Sequence, residues 1–140
     1  MADAATLAAT LAALREAAFA ALENAYAPYS HFRVGAALLS SDGQVVSGCN
    51  VENSAYPAGT CAERVAMGSA IARGLRQFTH VVVASEADTP TPPCGICRQV
   101  LAELAPGSLV ISVTRGGAEA QWRLADLLPH PIMPSSLHTE

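Results

Sequence analysis

Two short segments carry the residue types that hold metals and move protons: Cys61-Ala62-Glu63-Arg64 and Pro93-Cys94-Gly95-Ile96-Cys97-Arg98. Each stands where a helix is expected to open. Cys94 and Cys97 are three residues apart, so on a helix their thiols share one face and can grip one ion. A helix N-terminus adds unpaired N–H groups and the positive end of the dipole, which lowers a thiol pKa and favours the thiolate that zinc binds. Cys61 can supply a third sulfur from the neighbouring helix end. Three protein ligands leave one tetrahedral position to water, the arrangement of a hydrolytic rather than a structural zinc site.

Glu63 follows Cys61 by two residues, about 200° around a helix axis. Both serve one centre only if the metal sits beyond the helix end. A second reading of Glu63 is a capping box, because Thr60 and Glu63 have the Thr-x-x-Glu spacing. Three thiolates and one Zn²⁺ sum to a charge of −1, which weakens the ion as an acid. Arg64, three residues after Cys61 on the same side, can offset this by donating to the sulfurs; Arg98 is the weaker candidate. Two other readings compete: a four-thiolate structural site including Cys49, which has no CxxC partner, and a CxxC redox pair at Cys94 and Cys97, which leaves Cys61-Ala62-Glu63 without a role.

The surrounding elements must bring these segments together. Leu7, Leu11, Leu14, Ala18 and Leu22 recur at steps of three and four, predicting an amphipathic helix over residues 4–25 that Pro28 closes. Residues 33–39 and 44–49 suit strands joined by the turn Ser41-Asp42-Gly43. A loop over 50–59 leads to Thr60 as the expected N-cap of a helix running to Arg73, with Gly74 as its stop. Val81, Val82 and Val83 mark a buried strand. The Pro-rich loop 88–93 delivers Cys94 to another helix ending before Pro106-Gly107, and strands are expected at 108–114 and 119–124. The order is α/β, with helices available for both faces of one mixed sheet.

The composition narrows the chemistry. The 140 residues suit one domain, 1–140, and the 51% hydrophobic content can build a core. All eight basic residues are arginine, so Schiff-base chemistry and the lysine of a phosphate-binding loop are excluded. A net charge of −4 argues against a nucleic-acid partner. No apolar run is expected to reach the roughly 18–20 residues of a bilayer span, so no membrane partner is expected. The N-terminus lacks a basic n-region, so a cytoplasmic location is expected, where four cysteines read as thiols or ligands.

Taken together, the chain resembles the small zinc-dependent cytidine deaminases. The likeness runs through Tyr26-Ala27-Pro28-Tyr29-Ser30-His31-Phe32, Val34-Gly35-Ala36-Ala37-Leu38-Leu39, Gly48-Cys49-Asn50-Val51-Glu52-Asn53, the two cysteine segments with Gln99-Val100, and Asp126-Leu127-Leu128-Pro129. The resemblance implies a three-layer α/β/α fold with one mixed five-stranded sheet. It implies one Zn²⁺ per chain on Cys61, Cys94 and Cys97, with Glu63 as the proton shuttle in deamination at C4 of the cytosine ring. It further implies substrate contacts from Phe32, Asn50, Glu52, Tyr56 and Ala62, with Arg64 tuning the sulfurs.

The implied assembly is a homotetramer acting on free cytidine and 2′-deoxycytidine in pyrimidine salvage, with Tyr29 a cross-subunit contact. One departure stands out. Related chains carry, after Leu-Leu-Pro, a phenylalanine that stacks on the pyrimidine from a neighbouring subunit, and the matching position here is Ile132. A deaminase of a modified cytosine nucleoside such as blasticidin S is therefore the alternative, and a non-catalytic zinc or thiol-redox module is the alternative of another class. His31, His80, His130 and His138 are not expected to be ligands.

Overall fold

The computed structural model describes residues 3–137. Helix α1 (Ala4–Leu22) is followed by strands β1 (Val34–Ser40) and β2 (Val45–Cys49), helix α2 (Ala62–Ala72), strand β3 (Phe78–Ser85), helix α3 (Gly95–Leu104), strands β4 (Leu109–Thr114) and β5 (Glu119–Arg123), and a single-turn helix α4 (Leu124–Leu127). Short 3₁₀ turns occupy Tyr56–Ala58 and Pro134–Leu137. The five strands form one sheet in the order β2-β1-β3-β4-β5. β3 and β4 run parallel and the other neighbouring pairs antiparallel. The mixed α/β architecture expected from the sequence is the one observed.

Strand periodicity explains the layers. Val81 and Val83 face α2 and α3 together with Ala36, Leu38 and Val110, whereas Val82 and Ala84 face α1 together with Ala37, Leu39, Ile111 and Val113. A strand buried on both faces reads as a continuous apolar run, so its ends carry no local marker. That is why β3 extends from Phe78 to Ser85, beyond the expected 81–83. Edge strand β5 alternates exposed and half-buried residues.

α1 ends at Leu22, three residues before the expected limit. It docks through Leu14, Ala18 and Leu22, while its first two turns stand exposed. The approach is close: a Cβ at Gly35 would lie 1.9 Å from the Ala18 carbonyl oxygen, so only glycine admits the helix there. The expectation that no apolar run reaches span length is corrected, because α1 is long and apolar enough by length and composition to cross a membrane. Its alanines, weakly apolar one by one, accumulate over 19 residues.

A second correction concerns the start of α2. The N-cap is Cys61, not Thr60. Thr60 instead pairs with Val51 in an antiparallel bridge, its N–H donating to the Val51 carbonyl at 2.9 Å. A non-local backbone bond thus overrides the local capping preference.

Candidate active site

The chemistry-bearing residues converge where the N-termini of α2 and α3 meet the carboxyl end of β3, a place where α/β sheets commonly bind ligands. α2 sits hard on β2: a Cβ at Gly48 would lie 2.4 Å from the Ala66 amide nitrogen. Cys61 and Cys94 are the N-cap residues of the two helices, and neither side chain caps its own helix. Their sulfurs stay available, 3.7 Å apart. Cys97, in the first turn of α3, is fully buried.

The three Sγ atoms lie within 4.8 Å of one another, and among the described residues they form the one such cluster of potential ligands. Tetrahedral zinc–sulfur bonds of about 2.3 Å place sulfurs about 3.8 Å apart, which the Cys61–Cys94 separation matches. The donor set therefore fits zinc, and it supplies three ligands out of four. Cys49, half-buried at the end of β2, is outside the cluster. His31, His80 and His130 are also outside it; His138 lies outside the described residues.

Electrostatics around the sulfurs are asymmetric. The Cys61 thiol is held down to about 5, first by a hydrogen bond from the Cys97 thiol and then by the Arg64 guanidinium, while burial opposes the shift. Cys97 is pushed up, by its hydrogen bond to Cys61 and by burial. Arg64 reaches the Cys61 sulfur with one terminal nitrogen at 3.6 Å, and its Nε is buried without a protein partner. Arg98 plays a different part: its Nε donates to the Pro93 carbonyl at 2.8 Å and its Nη1 to the Leu127 carbonyl at 3.0 Å, pinning the loop that precedes Cys94.

Glu63 is 4% exposed. The capping box is absent, since the Thr60 N–H is spent on Val51 and the α2 N-cap makes no side-chain cap bond. Burial pushes the Glu63 carboxyl above the usual carboxylate range, and the neighbouring Cys61 charge adds to the shift. A carboxyl buried beside the thiol cluster is placed to hold a proton there and hand it on.

Above this floor opens a cavity of about 260 Å³. Cys61, Ala62, Glu63 and Cys94 line its helix end. Val83 and Ser85 of β3, with Val34 of β1, form the sheet wall, and Thr91 and Pro92 come from the loop before α3. Ser30, Phe32, Asn50 and Glu52 close the far side. Seven of the residues expected at the substrate, the metal or the reaction thus line this one cavity, namely Phe32, Asn50, Glu52, Cys61, Ala62, Glu63 and Cys94, whereas Cys97 lies beneath the floor and Tyr56 elsewhere.

Tyr56 is 76% exposed on its 3₁₀ turn and stacks edge-on against Tyr29, ring centroids 6.0 Å apart, in a shallow neighbouring depression that also touches Glu52. Ile132 is 61% exposed, and both its backbone polar groups are held by the Gln99 side chain.

Hydrogen bonds knit the far wall into a unit. The Glu52 carboxylate accepts from the backbone N–H groups of Tyr29 and Ser30, at 2.9 and 3.1 Å, and from the Ser30 hydroxyl. Asn50 accepts from the Val34 N–H and donates to the Phe32 carbonyl, both at 2.9 Å. The bonds from Ser30 and Tyr29 hold Glu52 below the usual carboxylate range, the Ser30 hydroxyl being the largest cause. Ser30, Val34, Val83, Ser85, Thr91 and Pro92 were missed from the sequence as lining residues. Only Ser30 and Val34, inside matched segments, carried a hint.

Residues 9–113 match the family model described as the cytidine and deoxycytidylate deaminase zinc-binding region. A cytidine deaminase of Sporosarcina psychrophila is 48% identical over 111 residues, 78% of this chain and 81% of that one. A cytidine deaminase of Mycobacterium tuberculosis is 38% identical over 124 residues, covering 89% and 80%. Among solved structures, the cytidine deaminase from Burkholderia pseudomallei superposes with a TM-score of 0.83 at 48% identity, over 86% of this chain and 98% of that one.

Proposed function

The chain belongs to the cytidine and deoxycytidylate deaminase family, and we propose that it hydrolyses cytidine and 2′-deoxycytidine to the corresponding uridines with release of ammonia. The observation that carries this reading is the buried Glu63 carboxyl beside a three-thiol cluster, on the floor of a cavity whose far wall presents Asn50 and Glu52. Cys61, Cys94 and Cys97 would hold one zinc ion. When bound, the ion supplies the Lewis acidity that makes water nucleophilic near neutral pH.

The remaining work falls to this chain's own groups. Glu63 takes a proton from the attacking water and delivers it to N3 of the ring as the C4–O bond forms. It then carries the second water proton from the new hydroxyl to the amine as the C4–N bond breaks, so that nucleoside and water become uridine and ammonia. Positioned acid–base groups of this kind contribute about 10²- to 10⁴-fold in rate. Ala62 and Cys94, at the helix ends, orient the ring with backbone groups. Asn50 and Glu52 read the sugar, and Phe32 packs beside it. An ionised Glu52 at the sugar end opposes a 5′-phosphate, which supports free nucleosides over nucleotides.

The same reading places the enzyme in pyrimidine salvage, in the cytoplasm, as a homotetramer of single-domain chains. Tyr29, Tyr56 and Phe32 are exposed near the cavity mouth, which supports a neighbouring copy covering it. A net charge of −4 without lysine supports a small-molecule substrate over nucleic acid. A second reading, deamination of a modified cytosine nucleoside, is favoured by the aliphatic Ile132 in place of an aromatic ring. Following ultraviolet absorbance of cytidine before and after chelation, and again after zinc is restored, tests the proposal. Full turnover by chelated protein overturns it, and blasticidin S consumed in place of cytidine selects the second reading.

A further inference from the structure

The far wall of the cavity is built from two loops that are distant in sequence, residues 29–34 and 50–52, and one small side chain ties them. The Ser30 hydroxyl donates to the Glu52 carboxylate and accepts from the Phe32 N–H at 3.1 Å. The backbone N–H groups of Ser30 and Tyr29 both converge on the other carboxylate oxygen. His31, at the apex, has a φ of 56°, a left-handed backbone that a non-glycine residue adopts only when its surroundings hold it. A carboxylate offers about four lone-pair sites, and three are already filled by this loop. Little of the orientation of Glu52 is left to the substrate.

We infer that Ser30 is a positioning residue for nucleoside binding, fixing through one hydroxyl both the direction of the Glu52 carboxylate and the placement of Phe32 at the cavity. This rests on the reading of the cavity as a nucleoside site. Glu52 lines the cavity, and one of its lone-pair sites remains for the substrate. Removing the Ser30 hydroxyl leaves the carboxylate held through one oxygen only, able to turn about it, and deprives the Phe32 N–H of its acceptor. Binding then includes the cost of ordering both residues, a cost that the intact loop has met before the substrate arrives. The effect falls on ground-state affinity, since Ser30 touches neither the thiols nor Glu63.

The test compares Ser30→Ala, Ser30→Thr and Glu52→Gln with the full-length zinc-loaded protein. For Ser30→Ala we expect KM for cytidine to rise about tenfold, the scale of a lost hydrogen bond to a charged group, with kcat within about twofold of wild type. Ser30→Thr, which keeps the hydroxyl, restores KM. In the Glu52→Gln background the Ser30→Ala change raises KM by a much smaller factor. Amide hydrogen exchange at Phe32 accelerates in Ser30→Ala, a readout independent of turnover.

An unchanged KM, a loss of thermal stability with KM retained, a failure of threonine to rescue, or full additivity with Glu52→Gln each overturns the inference. Wild-type protein that does not turn over cytidine overturns the functional reading instead. The Phe32 exchange rate then decides the role of Ser30 in the loop by itself: unchanged exchange ends it.

Discussion

The Arg64 guanidinium lies 3.6 Å from the Cys61 sulfur, the two residues being one turn apart at the start of the same helix. A cation held on a thiolate withdraws charge from it, and through it from any ion the thiolate binds. This offsets the excess negative charge of a three-sulfur site. Replacing Arg64 with glutamine keeps a donor but removes the charge. We expect activity to fall about 10- to 100-fold, the usual effect of losing a partner that orients a metal ligand, while secondary structure is retained. Cytidine turnover and zinc content of the variant, measured together, check this; unchanged values for both would free Arg64 from the role.

Glu63→Gln separates chemistry from metal binding. The amide is nearly isosteric and occupies the same buried position on α2, but it cannot carry a proton. Zinc content is expected to stay near one per chain while kcat falls by about 10²-fold or more. Metal analysis and single-turnover absorbance on one preparation check this. Retained turnover removes Glu63 from the reaction.

The metal set can be tested from outside. Cys49 is excluded from the thiol cluster, so Cys49→Ala is expected to bind as much zinc as wild type and to keep its activity. Alanine at Cys61, Cys94 or Cys97 is expected to lose both. Zinc loss on Cys49→Ala would restore the four-thiolate reading.

How legible these features were follows from how local their signals are. Cys61, Cys94 and Cys97 mark helix starts and a ligand spacing, both written within a few neighbouring residues, and the structure brings their sulfurs together. The hairpin Val34–Cys49 and the order of elements were legible for the same reason. Ser85 was not, because it enters the cavity only through the pairing of β1 with β3, which sets it opposite Val34. Thr60 misled because its side chain advertises a cap while its backbone is claimed by Val51. Helix α4 escaped notice because four residues are too few to show a period. Tyr56 was expected at the substrate from its family position, and the 3₁₀ turn that carries it sets the ring on the surface beside Tyr29.

The ion pair that ties α1 to edge strand β5 gives a pH-dependent prediction. Arg15 donates to both Glu119 oxygens, at 2.7 and 3.1 Å, and this bidentate grip lowers the Glu119 pKa. A carboxyl whose folded pKa is depressed adds stability above its ordinary value and loses it as pH falls through the lowered one. The pair is partly exposed, so its worth is at most about 1 kcal/mol. Glu119→Gln should therefore lower Tm at pH 7 by no more than about 4 °C, and the gap should close toward about pH 3. Thermal melts at both pH values check the sign; a gap that widens in acid contradicts it.

Two glycines, one facing α2 and one within it, should respond in opposite directions. Gly48 in β2 faces α2 so closely that a Cβ would meet the Ala66 nitrogen at 2.4 Å and the Ala62 carbonyl oxygen at 2.9 Å. Both are backbone atoms that cannot swing aside, so Gly48→Ala must push the start of α2 off the sheet. Overpacking of this kind costs about 1–3 kcal/mol or more. Because Cys61 and Glu63 ride on the displaced turn, zinc affinity and kcat should fall along with Tm.

Gly68, exposed on the outer side of α2, has nothing within 4 Å of an added Cβ. Gly68→Ala should raise stability by about 0.5–1 kcal/mol through the lower entropy of the unfolded chain, with zinc content and kcat unchanged. Melts, metal analysis and turnover on both variants decide the matter. A Gly48→Ala protein with wild-type zinc affinity would show that the contact between β2 and α2 does not set the position of the thiols.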